Sequence, residues 1–236
     1  MGARRTVATV AAALALLAAV AGSCGGDGGE PAGLAAIDAQ ALLGRAADRM
    51  EQLESFRFDL THENGATVIA RGLLMERARG EVVGSDRLRA EVRARAGPLA
   101  VDIEIRIVGE QGWMTNPLTG RWEREDLTLA SIFDPVGGVT ALMRAASDAR
   151  VVARESIEGA DYYRVEATVD SADLGLLIPG AEAGRTLPAQ ALVSVEDATV
   201  RRVEIRGAAS ALEAEEIVRR LEISDVGGEF SIEAPR

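Results

Sequence analysis

From position 87 to 95, and again from 101 to 107, the chain alternates residue by residue between aliphatic and charged side chains. Leu88, Ala90, Val92 and Ala94 are set against Arg87, Arg89, Glu91, Arg93 and Arg95, and then Val101, Ile103, Ile105 and Ile107 against Asp102, Glu104 and Arg106. A period of two puts successive side chains on opposite faces of a strand, so each of these strands has one greasy and one charged face. That pattern belongs to an antiparallel sheet with one side in water. It recurs at Phe56, Phe58 and Leu60 against Arg57, Asp59 and Thr61, and at Tyr163, Val165, Ala167 and Val169. An aliphatic sheet face must be covered, and the pattern of the rest of the chain says by what.

Asp38 is placed to cap a helix running to about Leu53, in which Leu42, Leu43, Ala46, Met50 and Leu53 share one face and Arg45, Asp48, Arg49 and Glu51 the other. Asn64-Gly65 after the first strand predicts a tight hairpin with a return strand through Val68 and Ala70, and Gly72 marks a bend before Leu73 and Met75. Turns at Gly109 to Gly112 and Asn116 to Gly120 bracket short strands carrying Trp113 and Trp122. Gly137-Gly138 reads as a turn after Asp134-Pro135, followed by a helix from Val139 to Ala149 with Leu142, Met143 and Ala146 on one face. Ala172 to Ile178 reads as a short apolar helix stopped by Pro179-Gly180. Late strands are expected around Leu192–Val195, Val203–Ile205, Val218–Ile223 and Phe230–Ile232. No internal repeat is present. The expected fold class is α+β: a strongly curved antiparallel sheet with helices covering its concave apolar face. Such a sheet can enclose a cavity, or its aliphatic face can simply pack on the helices; periodicity does not separate the two.

The N-terminus reads as an address. Arg4 and Arg5 precede an apolar run from Val7 to Val20, then the small residues Ala21, Gly22 and Ser23, and then Cys24. A run shorter than the roughly 20 residues of a membrane span, ending in small residues, predicts a signal peptide over 1–23. The Ala-Gly-Ser-Cys end resembles a bacterial lipobox, with Ala21 where leucine is usual, and predicts lipidation of Cys24. A diacylglyceryl group would supply the two chains that stable anchoring takes. Residues 24–37, rich in glycine, are expected to form the lipidated tip and a flexible linker, and 38–236 the folded domain.

Composition limits the chemistry. The formal net charge is -11, and removal of Arg4 and Arg5 would make the mature chain more acidic still. That sign repels nucleic acid and offers no general attraction to anionic headgroups. Cys24 is the lone cysteine and His62 the lone histidine, which excludes an intramolecular disulfide, cysteine-based or histidine-rich metal sites, and Ser-His or Cys-His catalytic pairs. His62 is expected to be a satisfied or exposed polar residue beside the hairpin. Glu125-Asp126 and Glu215-Glu216 are adjacent in sequence and diverge, so they read as solvated faces. The arginine row 87, 89, 93 and 95 reads as the wet face of a strand before it reads as a seat for an anionic headgroup. No phosphate loop follows a strand. The chain is therefore expected to be no enzyme and to need no cofactor, catalytic residue or metal; binding or carrying is the expectation.

A resemblance adds to this reading. The order helix, Ser55-Phe56-Arg57-Phe58, hairpin, central strands, Trp122 and then Phe133-Asp134-Pro135 with a helix resembles the LppX/LprAFG lipoproteins of actinobacteria. Gly159-Ala160-Asp161-Tyr162-Tyr163-Arg164-Val165, the stretch Leu174 to Pro179, the strand at Val203–Ile205 and the closing Phe230-Ser231-Ile232-Glu233-Ala234-Pro235 also fit, so the likeness spans about Asp38 to Pro235. It implies a half β-barrel around helices, similar to the LolA and LolB carriers, with a cavity for acylated lipids. Such a cavity would be lined by Phe56, Phe58, Leu60, Val101, Ile103, Ile105, Leu142, Leu174 and Leu177. The implied function is carriage of acylated lipids or glycolipids across the envelope, from the outer face of the cell membrane, with a membrane transporter as a further partner. The competing class is a structural or adaptor lipoprotein with a filled core that binds another envelope protein.

Overall fold

The computed structural model describes residues 33–69, 72–129, 134–178 and 180–236. Helix α1 (Ala39–Glu51) opens the domain. The Asp38 carboxylate accepts a hydrogen bond from the Ala41 N–H at 2.9 Å, as its position predicts. Strands β1 (Ser55–Glu63), β2 (Thr67–Val68), β3 (Leu74–Val83), β4 (Arg87–Ala96), β5 (Leu99–Val108), β6 (Gln111–Thr115) and β7 (Trp122–Glu125) follow. Helix α2 (Pro135–Ala145) intervenes before β8 (Ser147–Ile157) and β9 (Ala160–Asp170). A 3-10 turn at Ser171–Leu174 leads to β10 (Thr186–Ser194), β11 (Val200–Arg206) and β12 (Val218–Ser224).

All strands join one antiparallel sheet in the order β7-β6-β5-β4-β3-β1-β12-β11-β10-β9-β8, with β2 on the flank of β3. The sheet does not close: β7 and β8 are its edges. The α+β half-barrel class is thus as the sequence predicts. Register keeps the aliphatic residues on one face: Val92 lies opposite Ile103, Ala90 opposite Ile105, Phe58 opposite Ile223, and Leu60 opposite Leu221. Phe56, Phe58, Leu60, Val101, Ile103 and Ile105 are buried, while Arg57 and Glu104 face water. One core joins this face to Leu42, Leu43, Ala46 and Met50 of α1 and to Val139, Leu142 and Met143 of α2. Gly80 sits where β3 meets β4; a Cβ there would lie 2.0 Å from the Arg89 carbonyl oxygen, so only glycine allows this approach opposite Phe58.

Several local expectations change. The Asn64-Gly65 hairpin does not form: β1 pairs with β3 and β12, and β2 pairs with β3 alone. Of its two residues only Asn64, at φ 58°, takes the left-handed conformation. Long-range pairing outcompetes the local turn because it buries Phe56, Phe58 and Leu60 against the rest of the sheet. The helix expected from Val139 starts at Pro135, because Asp134 accepts from the Val136 and Gly137 N–H groups and proline favours the first helical position. Gly137-Gly138 is therefore helix rather than turn, and residues 147–149 belong to β8, a strand that shows no clean alternation. The apolar helix expected at 172–178 is a single 3-10 turn at Ser171–Leu174 followed by turns. Phe230–Ile232 forms no strand; Ile232 is buried and Phe230 lies under the Arg57 guanidinium, 5.2 Å from its ring centre. Cys24, the leader, Ala70, Phe133 and Pro179 lie outside the described residues.

Candidate functional site

The nine residues expected to line a cavity come together. Phe56, Phe58, Leu60, Val101, Ile103, Ile105, Leu142, Leu174 and Leu177 are all buried members of one core. Sheet alternation delivers the first six and α2 delivers Leu142. Leu174 and Leu177 come from the segment after β9, which reaches over α2. Contact there is close: a Cβ on Gly138 would lie 2.5 Å from the Leu177 side chain, so glycine lets that segment settle on the helix.

A void of about 20 Å³, room for about one water, lies between the Leu177-Ile178 pair and the inner face of β1, β11 and β12. Its walls are Leu60, Leu177, Ile178, Val203, Ile205 and Leu221, and its polar end is His62, Thr67 and Arg219. Two of the nine expected residues, Leu60 and Leu177, line it directly. Two larger hollows, of about 580 Å³ and 630 Å³, are open and charged, walled by arginines and acids of the convex face such as Arg79, Glu91 and Glu104.

The polar end is built around His62, which the sequence marks only as a satisfied or exposed polar residue. His62 continues the inward series Phe56, Phe58 and Leu60, and Arg219 precedes Leu221 and Ile223 on the inward side of β12; the two are register partners. His62 Nδ1 lies 3.1 Å from the Glu76 carbonyl oxygen and therefore donates to it. Nε2 then accepts from the Thr67 hydroxyl at 2.9 Å. Thr67 Oγ1 in turn accepts from Arg219 Nε at 3.2 Å. Arg219 also donates to the Gly207 carbonyl oxygen at 3.2 Å and forms a buried ion pair with Glu213. Glu213 accepts from the Ala209 N–H at 2.7 Å. Burial away from water pushes the His62 imidazole down to about 4, the neighbouring Arg219 charge adding to this against the hydrogen bond to Glu76. The ring is thus a neutral link in a chain that ties β1, β2 and β12 to the 207–217 loop. The period-two series itself carried the signal, since a histidine and an arginine stand at inward positions of otherwise apolar strands.

The Thr67 hydroxyl and the His62 imidazole are within hydrogen-bond distance, but Thr67 is buried and also accepts from Arg219; among the described residues no group of three His, Cys, Asp or Glu side chains could hold a metal ion. Among the same residues no helix is long and apolar enough to cross a membrane. The arginines 87, 89, 93 and 95 are exposed, with Arg89 paired to Glu81 at 2.6 Å and Arg95 to Glu76 at 2.6 Å.

Comparison with solved structures finds the same architecture. LprF from Mycobacterium bovis superimposes with a TM-score of 0.68 at 18% identity, over 84% of this chain and 96% of that one. The Mycobacterium tuberculosis lipoprotein LppX gives 0.59 at 17% identity, over 82% of this chain and 97% of that one. At such identities these likenesses concern the fold. Comparison with curated protein sequences finds no significant match. The model of the LppX_LprAFG lipoproteins matches residues 38–228, nearly the whole domain, and the chain belongs to that family.

Proposed function

We propose that this chain is a cell-envelope lipoprotein, anchored to the outer face of the cell membrane through Cys24, that binds acylated lipids or glycolipids between sheet and helices and carries them across the envelope. Membership of a lipoprotein family and the LprF-like fold support a hydrophobic ligand. The observation that carries the reading is the void beneath Leu177 and Ile178. It lies against the aliphatic inner face. Among the described residues, the covering segment between Leu174 and Thr186 belongs to no strand or α-helix. Its backbone ties to the rest include Leu176 O to Asp134 N at 3.0 Å and Glu182 N to Ala209 O at 2.8 Å. Displacing Leu177 and Ile178 would expose a trough of Leu60, Val203, Ile205 and Leu221, against further ties such as the Ala211 N–H to the Glu182 carboxylate at 2.9 Å and Arg185 to Glu215 at 3.1 Å. The lining at this point holds no Phe, Tyr or Trp side chain, which suits flexible acyl chains of varied structure.

One observation favours the second reading, an adaptor with a filled core. Ligand pockets usually measure about 300–1,000 Å³, far above the void of about 20 Å³. Carriage therefore requires the covering segment and α2 to give way. Native mass spectrometry of protein purified from its own host, together with extraction of a fluorescent acylated lipid from vesicles, separates the readings. A carrier retains and extracts lipid, and Ile103→Trp or Leu142→Trp reduces extraction more than stability. Wild-type protein that extracts nothing, with both variants losing about 1–3 kcal/mol of stability as overpacked cores do, establishes the adaptor.

A further inference from the structure

The two ends of the sheet differ in chemistry. One end carries the β3–β4, β5–β6, β8–β9 and β10–β11 turns; each of the four holds an acid, Asp86, Glu110, Glu158 or the pair Glu196 and Asp197, and none holds an arginine. The other end carries the β4–β5, β6–β7, β9–β10 and β11–β12 connections. It also carries four exposed leucines, one at each connection: Leu99 (57% exposed), Leu118 (82%), Leu176 (38%) and Leu212 (84%). Apart from Val226, beyond β12 at the acidic end, these are the large hydrophobic side chains most open to water among the described residues. The His62–Thr67–Arg219 end of the inner void lies at the leucine end too, since His62 stands next to the end of β1 and Arg219 next to the start of β12.

We infer that this end of the half-barrel docks on a lipid bilayer, with Leu99, Leu118, Leu176 and Leu212 entering the boundary between headgroups and acyl chains. A protein partner is matched by a contiguous, shaped patch. Four leucines on four separate turns, two either side of the central strands, instead match a fluid surface that closes around each of them. The leucine end holds acids too: Glu213 pairs with Arg219, Glu215 with Arg185, and Glu182 accepts from the Ala211 N–H, while Asp173 and Glu216 stand exposed. Orientation is therefore set by the leucines, since the turns of the far end offer acids and, among the described residues, no exposed leucine. Docking this way brings the mouth beside Leu176 and Leu177 to the membrane, although the docking itself does not depend on any cargo.

The test uses the full chain with Cys24→Ser and one added thiol, so that a single environment-sensitive fluorophore is attached. Leu118→Cys and Leu212→Cys report on the leucine end; Ser85→Cys and Glu110→Cys, at exposed positions, report on the acidic end. The leader is common to all four and drops out of the contrast. Vesicles of phosphatidylcholine and phosphatidylglycerol with spin-labelled acyl chains should blue-shift and quench the probes at 118 and 212 and leave those at 85 and 110 unchanged. Exchanging the three remaining leucines for glutamine should raise the vesicle concentration needed by at least about tenfold. Equal quenching at both ends, quenching at the acidic end alone, or no quenching overturns the inference. So does a blue shift at 118 and 212 that appears without vesicles and grows with protein concentration, because the occupant is then a second copy.

Discussion

The two faces of the sheet are built from the same strands and obey opposite rules. On the concave face Val92, Ile103, Ile105 and Phe58 are excluded from water and belong to the core that the sheet shares with the helices. On the convex face several cross-strand neighbours carry opposite charges, although Arg89 lies opposite Arg106 and Glu91 opposite Glu104. Arg79 pairs with Glu91 at 2.6 Å, Glu81 takes Arg57 at 3.3 Å and Arg89 at 2.6 Å, and Arg202 pairs with Glu222 at 2.7 Å. The inner face carries the folding free energy through burial, whereas exposed ion pairs are screened and each contributes little. The wet face sets register and solubility instead, since a slip of one residue would put every arginine into the core. His62 and Arg219 are where the division breaks down: both take inward positions, and both are accommodated only because each polar atom finds a partner.

The largest effect should come from breaking the inner rule. Ile103→Asp places a carboxyl among aliphatic side chains and should destabilise by more than about 4 kcal/mol or prevent folding. Urea unfolding checks this, and a variant as stable as wild type would show that the face is not the core. Next comes the buried pair. Arg219→Met leaves the buried Glu213 carboxyl without its counter-ion, holding only the Ala209 N–H, and should remove about 3–5 kcal/mol. The double change Arg219→Met with Glu213→Gln should recover much of that loss. If it recovers nothing, the ion pair is not what holds the 207–217 loop.

His62 gives a pH-dependent contrast. With its folded value at about 4 against an ordinary 6.5, the unfolded chain binds the extra proton first. The contribution is complete above pH 6.5 and is lost as pH falls towards 4, by up to about 3 kcal/mol. Protonation would leave Thr67 Oγ1 between two donors, Arg219 Nε and His62 Nε2. The difference in stability between wild type and His62→Asn should shrink over that interval, and a pH-independent difference would rule out a neutral, buried ring. The smallest effect belongs to the convex face. Arg79 and Glu91 are more than half exposed, so Arg79→Ala should change stability by no more than about 1 kcal/mol, measured by thermal unfolding in low salt. A larger loss would mean that the charged lattice acts as a unit.

Strand by strand, legibility followed how cleanly a segment met two environments. Residues 87–95 and 101–107 could be read directly, because every second side chain is charged. β8 could not, because register shifts near Ser147–Arg150 and Val151–Ala153 and its place at the edge blur the alternation. Asp134-Pro135 carries a capping signal, but the two glycines that follow make Gly137-Gly138 resemble a turn. One of them, Gly138, is there to admit Leu177, a contact between segments far apart in sequence.

By itself the sequence determined which residues face inward along β1, β4 and β5, that helices must cover them, and which family the order of elements resembles. Those features follow from local periodicity and from the free energy of keeping charge in water. Only the tertiary structure decided that β1 lies between β3 and β12, that His62, Thr67, Arg219 and Glu213 meet, how little space remains under Leu177, and that four leucines share one end. Each of these depends on which distant segments become neighbours, and neighbour choice is set by the packing of the whole core rather than by any stretch of chain.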